Sequence, residues 1–278
     1  MLEFKFIDMS KKVVIITGAS SGIGLALARE YAERNFNIVA AARRIDKLND
    51  LKEELAQKNI EVLTVQTDVS KEDDCKNLII KSKEHFGKID VLINNAGISM
   101  RALFDQVDID VLKRLMDVNF WGTVYCSKYA LPRLLEAKGS LVGVISIVGH
   151  VGLPGRTGYA ASKFAIRGFL DTIRIENLKK GLHVLVAAPG FTASEVREVA
   201  LTEDGSQQGK TPRAEEKMMT AEVCAFKIAK AVEKRKGQLI LTFMEGKLVV
   251  FLNKWFPRFM DKMIYNSMAK EDDSPLKK

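Results

Sequence analysis

The chain has 278 residues, 47% of them hydrophobic, which is enough to bury one sizeable core and suits one α/β domain better than two. Its formal charge of +8 is spread along the sequence among acids, as in Asp50-Leu51-Lys52-Glu53-Glu54, so a nucleic-acid partner is not expected. Cys75, Cys126 and Cys224 lie far apart and there are only three histidines, so no metal site is expected and the thiols read as buried groups in a reducing compartment.

Glu3, Lys5 and Asp8 break up the apolar runs at the start, and no apolar run reaches the ~18 residues of a spanning helix. A cytoplasmic protein is expected, with peripheral contact at a membrane as the alternative. Residues 12–17 are rich in β-branched side chains and end at Gly18, and an apolar-periodic segment follows over 23–34: strand, turn, helix. The alternation recurs, with strands at 37–42, 61–66, 90–94, 141–146 and 183–187. Helices are expected at 44–58, 71–86, 107–137 and from Tyr159 to about residue 180. Strands alternating with helices at this spacing predict a doubly wound parallel sheet in a three-layer α/β/α sandwich.

After Pro189-Gly190 the regularity breaks. Residues 192–219 read as a lid over a substrate, with a mobile loop at 202–213. A helix over 220–236 and a seventh strand at 238–243 follow. The expected core therefore spans 11–243 of a single 1–278 domain, and the charged tail from 270 onward is expected to fray.

Two stretches carry chemistry. Thr17-Gly18-Ala19-Ser20-Ser21-Gly22-Ile23-Gly24 lies where the first strand meets the first helix, where glycines allow a sharp turn and a helix N-terminus favours a pyrophosphate. Its plainer reading is a glycine-rich turn without a ligand. Tyr159 and Lys163, four residues apart, share one helix face, and an ammonium beside a phenol favours the phenolate. Such a pair can move a proton, although Tyr-x-x-x-Lys also arises by chance in helices.

Together with Asn94-Asn95-Ala96-Gly97 after the fourth strand, these motifs resemble the short-chain dehydrogenase/reductase family over 11–243. The resemblance implies an oxidoreductase acting on a CH–OH group, with a catalytic tetrad of Asn119, Ser146, Tyr159 and Lys163. Ser146 would donate a hydrogen bond to the substrate carbonyl, Tyr159 would supply the proton, and Lys163 would also bind the cofactor ribose. Asn119 would bend its helix and hold a water in a proton relay. The cofactor would meet Gly18, Ser20, Ser21, Gly22, Ile23 and Gly24 at the pyrophosphate, and Asp68-Val69 at the adenine. Asn95, Ala96 and Gly97 would lie beside the adenosine ribose, and Pro189, Gly190 and Thr192 at the nicotinamide. The same resemblance implies a homodimer or homotetramer built on the helices at 107–137 and 159–180. The rival reading is a nucleotide-sensing or scaffold protein on the same fold, without turnover.

The second strand ends Ala40-Ala41-Ala42-Arg43-Arg44, with no carboxylate for a ribose 2′-OH and two guanidinium groups suited to a 2′-phosphate. NADP is expected over NAD, with Arg43 as the first contact and Arg44 as a second contact or a solvated helix-start residue. Ser21 stands where relatives that use NADP often carry a base. Residues 99–103, 148–154 and the lid would wall a pocket for a lipophilic carbonyl or alcohol, with Ile147, Val148, Val151, Leu153, Phe191 and Met218 making it apolar. His150 reads as a surface group, with a place on the pocket wall as the alternative, and Glu195 and Arg197 as the exposed side of a lid helix, with contact to a polar substrate as the alternative.

Beyond the seventh strand, 245–268 forms an amphipathic extension in which Leu248, Phe251, Leu252, Trp255, Phe256, Phe259 and Met263 recur every three or four residues. Lys247, Lys254, Arg258 and Lys262 interleave. The expected reading packs this stripe over the substrate opening or against a second subunit; the alternative lays 246–268 on an anionic membrane.

Overall fold

A computed structural model of the protein describes residues 11–192, 199–209, 218–271 and 274–277. The apolar run Val13–Thr17 forms β1, buried along its whole length, and the chain turns into α1 (Gly22–Glu33), which buries Leu27 and Tyr31. β2 (Asn37–Ala42), α2 (Ile45–Glu54) with a 3₁₀ turn at Leu55–Gln57, β3 (Val62–Gln66), α3 (Glu72–Phe86) and β4 (Val91–Asn94) follow. The next helical region comprises α4 (Ile109–Leu115), a π-helical stretch Met116–Trp121, and α5 (Gly122–Glu136). Then come β5 (Ser140–Val144), α6 (Thr157–Glu176), β6 (His183–Ala188), α7 (Ala221–Glu233) and β7 (Gln238–Ile240). A second π-helical turn, Phe243–Leu248, leads into α8 (Val249–Trp255) and α9 (Pro257–Ala269).

All seven strands are parallel, in the order β3-β2-β1-β4-β5-β6-β7. Alternate β1 residues face opposite layers, as strand geometry requires. Val14 and Ile16 join a core with Leu27, Tyr31 and Ile228, whereas Val13 and Ile15 join one with Leu78, Cys126 and Leu170. Helices thus cover both faces, and the near-continuous apolar strands follow from burial on both sides. Chain order reverses between β1 and β4, so a crevice opens past their C-terminal ends, the place where this architecture accommodates ligands.

Several expectations change. The helix expected at 107–137 starts at Ile109 and is interrupted by the π-helical stretch, which contains the fully buried Asn119. Gly122 follows because a Cβ there would stand 2.8 Å from Val69 Cγ2. β5 stops at Val144, so Ser146 lies beyond the strand as the cap of a 3₁₀ turn, Ile147–Gly149. β7 stops at Ile240 because the chain bends at Thr242, whose carbonyl accepts the Lys247 N–H at 3.0 Å.

The described part of the expected mobile loop is tied down. Leu201 exchanges backbone bonds with Ser99 and Arg101, and the Asp204 carboxylate accepts from Thr202 Oγ1 and Ser206 N. Nor does the tail simply fray. Glu271 pairs with Arg101 at 3.1 Å, with side chains 10% and 6% exposed, and Ser274 and Pro275 are buried. A buried guanidinium needs such a partner. The remainder of the lid, including Glu195 and Arg197, lies outside the described residues.

Candidate active site

The glycine loop turns because Gly18 and Gly22 adopt positive φ, 70° and 53°, a region that disfavours residues with a Cβ. Gly24 answers a different need: a Cβ there would lie 2.1 Å from Gly18 O, so only glycine lets α1 start against the loop. Thr17 ties the loop to the Asn-Asn-Ala-Gly segment. Its Oγ1 accepts the Asn95 and Ala96 N–H groups at 3.0 and 3.1 Å, while Asn95 Nδ2 donates to Thr17 O at 2.9 Å.

Above these strand ends lies a cavity of about 460 Å³. Gly18, Ser20, Ser21, Gly22 and Ile23 form one wall, and Arg43, Arg44, Asp68 and Val69 another. Asn95, Ala96, Gly97, Tyr159 and Lys163 close the far end, so most of the sequence-derived positions meet in one space. Arg44 reaches back over the loop, with Nη2 3.2 Å and Nε 3.3 Å from Ser20 Oγ. Arg43 is exposed, and its carbonyl accepts from Gln66 Nε2 at 3.1 Å. The Asp68 carboxylate is partly engaged, accepting from Ser70 Oγ at 2.7 Å.

Six expected residues stand off the cavity wall. Gly24 is behind the loop. Asn119 is fully buried: its Oδ1 accepts Ile98 N–H at 2.8 Å and its Nδ2 donates to Ile98 O at 3.0 Å and Ser162 Oγ at 2.9 Å. Ser162 Oγ in turn donates to Tyr159 O at 2.8 Å. Ser146 Oγ accepts the Val148 N–H at 3.3 Å. Pro189 O accepts the Ile147 N–H at 3.0 Å, Gly190 packs against Thr242, and buried Thr192 donates to Gly190 O at 3.3 Å.

Tyr159 and Lys163 rise from the first turns of α6. Lys163 is 4% exposed, its Nζ donates to Val144 O at 3.0 Å and stands 5.7 Å from the Tyr159 ring centre. Burial pulls its pKa down to about 8, so it keeps its proton at neutral pH but holds it weakly. Gly97 makes room beside it, since a Cβ there would meet Asn119 Oδ1 at 3.1 Å and Lys163 Nζ at 3.3 Å. Tyr159 also packs on an apolar cluster of Met100, Ala102, Val107, Val111, Leu115 and Leu201. His150 is not a surface group: it is 6% exposed, and burial lowers its pKa to about 4.

The cavity also contains residues that sequence reasoning missed: Arg114 on α4, Val118, and Val199, Leu201 and Gln207 from the tied-down loop. Arg114 is an exposed residue of α4, five positions before Asn119, and nothing in the local sequence separates it from the other charged residues of that helix. Among the described residues no three His, Cys, Asp or Glu side chains form a metal-binding group, and no helix is long and apolar enough to cross a membrane.

Comparison with known proteins agrees with this architecture. A 26%-identical alcohol dehydrogenase from Thermococcus sibiricus, solved with 5-hydroxy-NADP, superposes with a TM-score of 0.73 over 82% of this chain and 94% of its own. A Burkholderia phymatum short chain dehydrogenase/reductase solved with NAD, 22% identical, shares the fold with a TM-score of 0.74 over 82% and 88%. In sequence, the chain is 42% identical over 189 residues to 11-beta-hydroxysteroid dehydrogenase 1A of Arabidopsis thaliana, covering 66% of this chain but only 53% of that protein. The chain thus spans about half the length of that relative. It is 33% identical over 257 residues to Dehydrogenase/reductase SDR family protein 7-like of Dictyostelium discoideum, covering 90% of this chain and 79% of that one. The short chain dehydrogenase family model matches residues 12–204, well over half the chain, and the protein belongs to that family.

Proposed function

We propose that the protein is an NADP(H)-dependent oxidoreductase that interconverts a ketone and a secondary alcohol on a lipophilic small molecule, with Tyr159 as general acid and base. The observation that carries this reading is that Tyr159 and Lys163 share one cavity with the glycine loop and two arginines. The residues suit a dinucleotide. Positive-φ glycines and the α1 N-terminus form a cradle for a pyrophosphate, and the absence of a Cβ at Gly97 leaves space beside Lys163. Arg43 and Arg44, with no carboxylate at the end of β2, favour a 2′-phosphate over a free ribose hydroxyl, so NAD fits less well.

When bound, the nicotinamide supplies the hydride that reduces the carbonyl carbon, or accepts it in the reverse direction. In reduction, Tyr159 gives its phenolic proton to the carbonyl oxygen, which yields the alcohol and leaves a phenolate. The Lys163 ammonium, charged below its pKa of about 8, stabilises that phenolate. Ser146 accepts from Val148 through its oxygen and so retains its own proton to donate to the substrate oxygen. Asn119 acts as a positioning residue here: its amide fixes Ser162, and Ser162 fixes the Tyr159 carbonyl.

Apolar side chains on the wall of the cavity that holds Tyr159, namely Ile98, Val118, Val199 and Leu201, support a lipophilic substrate, and relatives named for a hydroxysteroid support a bulky secondary alcohol or its ketone. Trp121, Phe164, Ile175 and Leu178, exposed on or beside the long helices, support a homodimer or homotetramer. Screening ketones, steroid ketones included, by loss of NADPH absorbance tests the activity. Turnover of a lipophilic ketone with NADPH is expected. NADPH binding without turnover of any carbonyl would favour a nucleotide sensor.

A further inference from the structure

The segment after β7 leaves an apolar surface uncovered. Phe243, Met244, Phe251, Trp255, Phe256 and Phe259 are 58–69% exposed, far more than scattered surface hydrophobics require. They fall in register: Phe251 and Trp255 are one turn apart on α8, and Phe256, Phe259 and Met263 follow one side of α9. Met260, at the edge of this side, and Met268 are buried, but the aromatic side chains themselves stay exposed. The stripe therefore does not fold down over the cavity.

The surface is held in a fixed orientation at both ends. Thr242, just before it, packs against Gly190 and Gly246, and Glu271, just after it, pairs with buried Arg101. Across 243–270 the cations Lys247, Lys254, Arg258, Lys262 and Lys270 face only Glu245 and Asp261, a net +3, and all seven are exposed. Lys254 Nζ stands 5.7 Å from the Trp255 ring centre, so charge and aromatic surface are interleaved within single turns.

We propose that α8 and α9 form a docking surface for an anionic lipid bilayer. The aromatic side chains at the α8–α9 turn enter the interfacial region while the lysines and arginine meet lipid phosphates. The helices lie on the bilayer and do not cross it: 7 and 13 residues long, they span about 10 and 20 Å, against a hydrocarbon core of about 30 Å. Charge selects this occupant over a second copy of the chain. A two-fold contact would set the same net-positive surface against itself, whereas an anionic bilayer complements it.

Vesicle co-sedimentation of the full chain tests the proposal, using phosphatidylcholine alone and phosphatidylcholine mixed with phosphatidylglycerol. One variant carries Trp255→Ser, Phe256→Ser and Phe259→Ser; another carries Lys254→Gln, Arg258→Gln and Lys262→Gln. All six positions are exposed, and circular dichroism checks that both variants fold. Binding to the anionic vesicles and not to the neutral ones is expected. The charge variant should lose roughly a hundredfold in partitioning, about a factor of five per cation, and the aromatic variant should also release. No binding by the unaltered chain, equal binding to both vesicles, or unchanged binding by either variant overturns the proposal. So does a lipid-free oligomer that the aromatic variant breaks apart in light scattering, because the surface is then a subunit contact.

Discussion

Replacing Lys163 with methionine should make the protein more stable while abolishing its turnover. The side chain is 4% exposed, and burial holds its pKa at about 8 against an ordinary 10.5. The folded-state pKa of this base is depressed, so the unfolded chain holds the proton more tightly. The cost is fully present below pH 8 and is relieved as the pH rises from 8 through 10.5. At pH 7 that difference corresponds to about 3 kcal/mol. Methionine keeps similar volume and carries no charge, but it loses the bond to Val144 O, worth about 1 kcal/mol. The Lys163→Met variant should therefore be about 2 kcal/mol more stable at neutral pH, and its advantage should shrink by about 2 kcal/mol on going to about pH 9.5. Guanidinium unfolding of both proteins without cofactor at the two pH values measures this, and background titrations cancel in the comparison. A stability difference that stays constant across the range would refute a buried ammonium at this position.

Two further outcomes follow from the geometry. Changing Arg43 and Arg44 to alanine should weaken NADPH by about 1.5–3 kcal/mol for each guanidinium–phosphate hydrogen bond removed and leave NADH affinity nearly unchanged, as read by cofactor fluorescence titration; equal weakening of both would place the arginines away from the 2′-phosphate. Glu271→Gln should lower stability by about 3 kcal/mol, because it leaves the Arg101 guanidinium buried without its counter-charge. Thermal melts should show that loss, and a melting temperature matching the unaltered chain would mean that the pair is not buried in solution.

The sheet was legible because each strand is a short apolar run and each helix an apolar periodicity, patterns set by burial on one or two faces. The glycine loop was legible for a similarly local reason, since Gly18, Gly22 and Gly24 each meet a demand of the strand-to-helix turn. Other features depend on residues distant in sequence. Arg101 and Glu271 are 170 positions apart, so nothing in the charged tail announces that it is held down. Arg114 lines the cavity from α4, far in sequence from the glycine loop and β2 that form the opposite walls, so no local pattern marks it. Leu201 is fixed by bonds to Ser99 and Arg101, although its polar neighbours read as a loose loop. His150 looks like a loop residue in sequence, and only the packed structure buries it.

The proposed chemistry rests on one hydroxyl. Tyr159→Phe deletes it and preserves the ring that packs on Met100 and Leu201, so the fold and the cofactor cradle should survive. The decisive measurement is the turnover of a ketone substrate by this variant, beside its NADPH affinity. We predict that kcat falls by about 10²–10⁴-fold, the range of general acid–base catalysis, with NADPH affinity retained. Turnover equal to that of the unaltered enzyme would contradict Tyr159 as the proton donor.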